Sequence, residues 1–426
     1  MIKTAVFLLL ISTLLICPYT LRGDDNAADK LLMQARAGDV TSQLRLADEL
    51  MFGRNNRKAM PQLAVYWYRQ AALQNSPEGQ YNLAICYLQG WGVDKKRPAA
   101  AYRYLEKAMH NGVIKAAIRY AEMSAKGVES ASDPEGEFPE VKPDESRALA
   151  ILRKISGYDP EAEIMLAQML FKHVSKNAGE LLELLQKHAR RNNAHPEMLL
   201  IYSALLRSGS AGICDLKAAA QLLERAAAMK NPEAMAQLAE LLHAGSGIPT
   251  DHERAEKLNK AAFQAGSPRA MVNRGMEYLT GIRRPHDPHK AFALFADAAK
   301  KGYPAAWRQM AFCHAAGIGT PQDERKAFNC YLHAAQGGDA PAMFQLGEYC
   351  RLGKGISPNL QHAVMWYLRG AEHGEINAMR EAGLALWHGR GIKQDQENGE
   401  KWLRRAALAG DRTAAETLNI TAPSLF

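Results

Sequence analysis

The residues whose types and spacing could best do chemistry are His286, Asp287 and His289, set around Pro288. Two imidazoles and a carboxylate could begin a zinc site, but such a site wants three or four ligands at close range. The same residues also spell a helix start, with Asp287 as N-cap, Pro288 at the first helical position and the histidines as bystanders. The helix start is the preferred reading. Gly353-Lys354-Gly355 and Gly389-Arg390-Gly391 could cradle phosphate, yet a phosphate loop follows a strand and closes on Gly-Lys-Ser/Thr. These glycines follow helical runs and lack the hydroxyl, so they are assigned to helix ends. No Gly-x-Ser-x-Gly elbow, His-Glu-x-x-His helix or Ser-x-x-Lys acylation motif occurs. The residue types therefore point to no catalytic group, no metal and no cofactor.

The cysteines add little chemistry. Beyond Cys17 there are five: Cys86, Cys214, Cys313, Cys330 and Cys350. An odd number cannot all pair internally. Cys313 and Cys330 stand on the two helices of one hairpin and are the first candidates for a disulfide. The alternative is small, buried, free thiols.

What must position any site is a repeat. Ala234, Ala270, Ala306, Ala342, Ala378 and Ala414 are spaced 36 residues apart. Gly245, Gly281, Gly317, Gly353 and Gly389 keep the same step, as do Gly266, Gly302, Gly338, Gly374 and Gly410. A fixed period in this range marks stacked units that bury their apolar faces only against neighbours. In the unit from Ala342, apolar and small residues at helical spacing predict a first helix. Gly353 ends it, Ser357-Pro358-Asn359 supplies turn and cap, and Ala363–Ala371 forms the second helix. Trp366 and Tyr367 fill space beside Ala363, Gly370 and Ala371.

The chain divides into a signal peptide at 1–23, a leader and opening helix at 24–41, N-terminal repeats at 42–196, regular repeats at 197–412, and a capping helix with tail at 413–426. An insertion at 128–144, rich in Pro and Glu, is expected to be a tolerated loop. The unit at about 161–196 lacks the glycine columns; its basic cluster, Lys187, His188, Arg190 and Arg191, is expected at a solvated helix end.

One positive charge at Lys3 precedes a largely apolar run from Ala5 to Cys17. A membrane-spanning helix needs about 20 such residues, so the run suits a secretory signal peptide cleaved near Gly23. Lipidation at Cys17 is the alternative. The expected location is periplasmic or secreted, with membrane contact only through the signal peptide unless Cys17 is lipidated. The net charge of +8 falls to +6 without Lys3 and Arg22 and is dispersed, which argues against nucleic acid as a partner.

The sequence resembles the Sel-like repeat family, within the tetratricopeptide superfamily of helical hairpins. Leu-Gly or Leu-Ala, then Gly-x-Gly-Val/Ile, then Ala-x-x-Trp-Tyr-x-x-Ala-Ala-x-x-Gly carry the resemblance, as at Gly353–Ile356 and Ala363–Gly374. It departs where Arg274 stands for the usual Leu, and where His314 and Cys350 stand for Tyr. The resemblance implies an all-α, right-handed α-solenoid of about ten helix-turn-helix repeats, whose first helices line a concave face that holds a protein or peptide. It implies a scaffold without activity of its own. Some exported relatives act on β-lactams; they carry cysteine pairs at regular spacing, which this chain lacks, and a β-lactamase-like or cell-wall-active hydrolase is the alternative. The superfamily's groove positions fall on Arg308, Phe312, Phe344, Glu348, Arg351, Arg380, Leu384 and Trp387. Arg308, Arg351 and Arg380 are expected to be open to a ligand, while Phe312 and Phe344 could equally pack between hairpins.

Overall fold

The computed structural model describes residues 26–55, 57–128, 140–209 and 211–418. The expected signal peptide, Cys17, most of the insertion and the end of the chain lie outside them. The described residues form 22 helices and no strand; one isolated antiparallel bridge joins Val128 to Val141 at the root of the insertion. The chain is an all-α solenoid of helical hairpins, and it divides into two compact units, one ending at Lys172 and one beginning at His173.

In the first unit, an opening helix (Asn26–Arg36) precedes three hairpins and the helix Pro160–Lys172. The hairpins pair Val40–Phe52 with Pro61–Leu73, Pro77–Gln89 with Pro98–His110, and Ile114–Lys126 with Glu145–Ile155. Their core holds Leu46, Trp67, Tyr68, Leu83, Tyr87, Tyr102 and Leu105. Tyr102 stacks on Tyr120 with ring centroids 4.3 Å apart. Each such side chain taken from water contributes roughly 1.5–3 kcal/mol, which short helices need because they are marginal alone.

The second unit begins with Val174–Ala189, which carries a kink at Asn177. Six hairpins and a short closing helix, Arg412–Thr417, follow. The local chemistry is repeated. Asp215, Asp251, Asp287, Asp323, Asn359 and Asp395 each cap a second helix by accepting from the N–H three residues on. First helices end on glycines in the left-handed region, among them Gly353 at φ 72° and Gly389 at φ 69°. Gly347 is needed for a different reason: a Cβ there would collide with the Tyr367 ring.

Within this unit the first helices also touch one another. Pro232–Ala244 meets Pro268–Thr280, which meets Pro304–Ala316, and Ala340–Leu352 meets Ile376–His388. The first helices therefore form the inner layer. One joint is loose: His252–Gln264 packs on Pro268–Thr280 less than any other second helix packs on the first helix that follows it. Arg274 explains this. Its guanidinium lies 3.8 Å from the centre of the Phe263 ring, and Arg274 Nε, Glu256 Oε2 and Asn259 Oδ1 are buried without hydrogen-bond partners.

Candidate protein-binding surfaces

The eight residues expected in the C-terminal groove sit on the first helices Pro304–Ala316, Ala340–Leu352 and Ile376–His388. Two of the three arginines, expected to be open, are only partly exposed and are engaged within the chain. Arg308 Nε donates to Asp339 Oδ1 at 2.9 Å, and Arg380 donates to Asp411 Oδ2 at 2.6 Å and to Glu381 at 3.1 Å. Asp339 and Asp411 are the N-caps of the following first helices, so each arginine ties one hairpin to the next. Arg351 is exposed but is held by Glu348 through two bonds of 3.0 and 2.6 Å. Glu348 also accepts from Tyr367 Oη at 2.5 Å. Burial raises the Glu348 pKa, but the bonds from Arg351 and Tyr367 outweigh it and hold the carboxyl below its usual range.

Phe344 is partly buried, its ring 6.1 Å from that of Tyr367. Leu384 and Trp387 are partly buried against the core. Phe312 remains 45% exposed. The structure thus gathers Phe344, Glu348 and Arg351 around Tyr367 and leaves Phe312 as the open apolar member.

A concavity also lies in the first unit. A groove of about 1120 Å³ runs across the first helices Val40–Phe52, Pro77–Gln89 and Ile114–Lys126. Counted from the third residue of each helix, six of the nine +2, +6 and +9 positions lie in its lining (Asp48, Met51, Tyr81, Ile85, Leu88 and Glu122), while Leu44, Ile118 and Ala125 do not. The middle helix, Pro77–Gln89, places all three of these positions in the groove, and its neighbours place only some of theirs there. Phe52 and Trp91 stand at its edge, 53% and 46% exposed. Trp91 follows the helix-ending Gly90 and lies off the helical register, so position counting could not find it.

Both carboxylates of this groove accept hydrogen bonds from within the chain. Tyr68 Oη donates to Asp48 Oδ1 at 2.5 Å; burial first, then Asp48, raises the tyrosine pKa. Glu122 accepts from Lys126 at 2.8 Å and Arg119 at 3.0 Å. Those bonds together outweigh burial and keep it ionised. Burial pushes the Cys86 thiol up to about 12, so at neutral pH it is not a thiolate. The groove offers aromatic and aliphatic surface with a charged rim, a combination suited to holding a peptide.

The remaining candidates resolve simply. Asp287 accepts from Lys290 N with Pro288 in the first turn, as the helix-start reading expects, and His289 Nδ1 lies 3.1 Å from the Gly319 carbonyl oxygen. Cys313 and Cys330 are buried free thiols, not a disulfide, each pushed up to about 11 by burial. His188 departs from the solvated cluster expected around it. It is buried, and the His195 backbone N–H donates to its Nε2 at 2.7 Å.

A family model described as Sel1 repeat matches residues 40–76, 77–113, 211–231, 232–267, 268–303, 304–339, 340–375 and 376–411. No curated protein matches the chain in sequence. Among solved structures, a protective antigen of uropathogenic Escherichia coli strains displaying an SLR fold is 22% identical. It covers 92% of this chain and 84% of its own, with a TM-score of 0.47. A Sel1 repeat protein from Oxalobacter formigenes is 29% identical over 58% of this chain and 99% of its own, with a TM-score of 0.43. An immunity protein from Pseudomonas aeruginosa is 16% identical over 52% and 84%, with a TM-score of 0.40.

Proposed function

The chain belongs to the Sel1 repeat family, and from that premise we propose that it is an exported scaffold that binds a protein or peptide on its inner helices and has no catalytic activity of its own. Sel1 repeat proteins are generally repeat scaffolds that bind protein partners. The observation that carries the site is the groove of the first unit, where Phe52, Tyr81 and Trp91 surround aliphatic side chains. Aromatic residues in a concave setting are the types enriched where binding energy concentrates. Phe312 and Arg351 supply a second, smaller contact surface in the C-terminal unit. Lys3 and the apolar run to Cys17 support export.

Site-specific photocrosslinking tests this reading. p-Benzoylphenylalanine placed at Trp91 in the full chain is expected to give a discrete protein adduct on irradiation, and a weaker one when placed at Phe312. Placement at Leu73, an exposed residue of a second helix outside the groove, serves as control. Equal labelling at all three positions, or none at Trp91, would contradict it.

A further inference from the structure

We infer that the groove of the first unit selects acidic peptides, with carboxylates placed next to aromatic or aliphatic side chains. This rests on the groove reading above and adds the chemistry of the occupant.

The inference comes from which charges the groove has left to offer. Of its two carboxylates, Glu122 is paired with Lys126 and Arg119, while Asp48 accepts only the neutral Tyr68 hydroxyl and keeps its charge. A ligand therefore gains little by bringing a cation to Glu122, where it would have to displace a bond already made; Asp48 is the one lining carboxylate with no cationic partner among the described residues. Cations outnumber carboxylates in the lining: Lys96, Arg119 and Lys126 against Asp48 and Glu122. Lys96 lines the groove, as Trp91 does, and has no acidic partner among the described residues. Arg54 is outside the lining but stacks its guanidinium 4.9 Å from the centre of the Phe52 ring, which is in it, and likewise has no acidic partner among the described residues. Arg119 shares Glu122 with Lys126, and its other acid, Glu161, is at 3.7 Å.

Each exposed ring thus has an unpaired cation close to it in sequence: Phe52 with Arg54, and Trp91 with Lys96. A peptide that lays an apolar side chain on either ring brings its neighbouring residues near a cation. A carboxylate there makes a new pair at the groove rim, whereas a lysine meets like charge. Rim pairs of this kind alter affinity severalfold and weaken as salt rises. The burial of the ring contacts supplies most of the affinity, and the cations supply the choice among peptides.

The test is selection of a phage-displayed random dodecapeptide library on the full chain. Two variants are panned in parallel, Phe52→Ser/Trp91→Ser and Arg54→Glu/Lys96→Glu. All four residues are exposed, and circular dichroism melting checks that each variant keeps its helices. The expected enrichment on the wild type is an aromatic or aliphatic residue flanked by Asp or Glu. That enrichment is lost on the first variant and shifts to neutral or basic flanks on the second. Peptides made from the consensus bind the charge-reversed variant about tenfold more weakly at low salt, with the gap narrowing at 0.5 M salt.

A neutral or basic consensus that depends on Phe52 and Trp91 would overturn the acidic preference and leave the groove in place. Acid-rich peptides without an apolar residue would mean that the surface reads charge alone, as for a polyanion, and would also overturn it. No consensus, or one indifferent to Phe52 and Trp91, would overturn both readings.

Discussion

Arg308 reaches from one hairpin to Asp339 at the start of the next, its Nε 2.9 Å from an Oδ1 that also accepts the Ala342 N–H at 2.8 Å. One carboxylate oxygen thus caps a helix and joins two repeats. Two repeats further on, Asp411 makes the same two links with different oxygens: Oδ2 accepts from Arg380 at 2.6 Å and Oδ1 accepts the Ala414 N–H at 2.8 Å. Asp339→Ala removes both functions and is expected to cost about 1–3 kcal/mol, the sum of a lost cap and a partly buried pair. Asp339→Asn keeps the cap and is expected to cost less. Urea denaturation followed by circular dichroism compares the two; equal and negligible losses would show that the link carries no stability.

Gly353 has φ 72°, and a Cβ there would meet Pro358 Cγ at 2.6 Å. Gly353→Val is therefore expected to destabilise the C-terminal unit by at least about 1 kcal/mol, from left-handed strain and crowding together. An unchanged melting temperature would remove this glycine from the helix-ending role.

Arg274 occupies a leucine position with its Nε unpartnered. Burial first, then Arg284, holds its pKa below the usual arginine value. Arg274→Leu is expected to stabilise the joint by about 1 kcal/mol, as replacing a partly buried, poorly satisfied charge by a fitting apolar group can do. Slower amide exchange in Pro268–Thr280 would locate the gain; faster exchange there would contradict the account.

Acid should loosen two histidine sites. His243 Nδ1 lies 3.2 Å from His252 Nδ1, and Arg283 sits 3.1 Å from each His243 ring nitrogen. Burial first, then Arg283 and His252, lowers the His243 pKa. Burial also lowers that of buried His314. A histidine whose folded pKa is depressed favours the folded state in its neutral form. Its stabilisation is complete above the unfolded value of about 6.5 and is lost as pH falls below it. The melting temperature is expected to drop between pH 7.5 and 5.5, and by less in His243→Gln/His314→Gln. An equal drop in both proteins would assign it to other groups.

The repeat was legible because its requirements are local. Gly353, Gly389, Asp287 and Asn359 do in the fold what their types and spacing required. Arg274 was visible as a departure, though only packing shows that it loosens a joint. Side-chain partners were less legible. Arg308 and Arg380 share one register, but their pairing depends on aspartates a repeat away, so exposure could not be read from the helix position alone. The groove of the first unit was missed for a different reason. The strict glycine and alanine columns mark framework, and they drew the groove positions to the most regular hairpins. Tyr81, Ile85 and Leu88 occupy the same positions in a less regular stretch. Trp91 lies just past a helix end, where the backbone turn rather than the periodicity aims the ring.

The most direct test of the groove is calorimetric titration of a peptide selected by the full chain. Wild type is compared with Phe52→Ser/Trp91→Ser and with Arg351→Glu/Trp387→Ala. Loss of the two open aromatics is expected to raise Kd about tenfold or more, about 1.4 kcal/mol, while the C-terminal double variant stays within about twofold of wild type. Weakened binding in the C-terminal variant, with the Phe52/Trp91 variant unchanged, would contradict the account and return the site to the C-terminal hairpins.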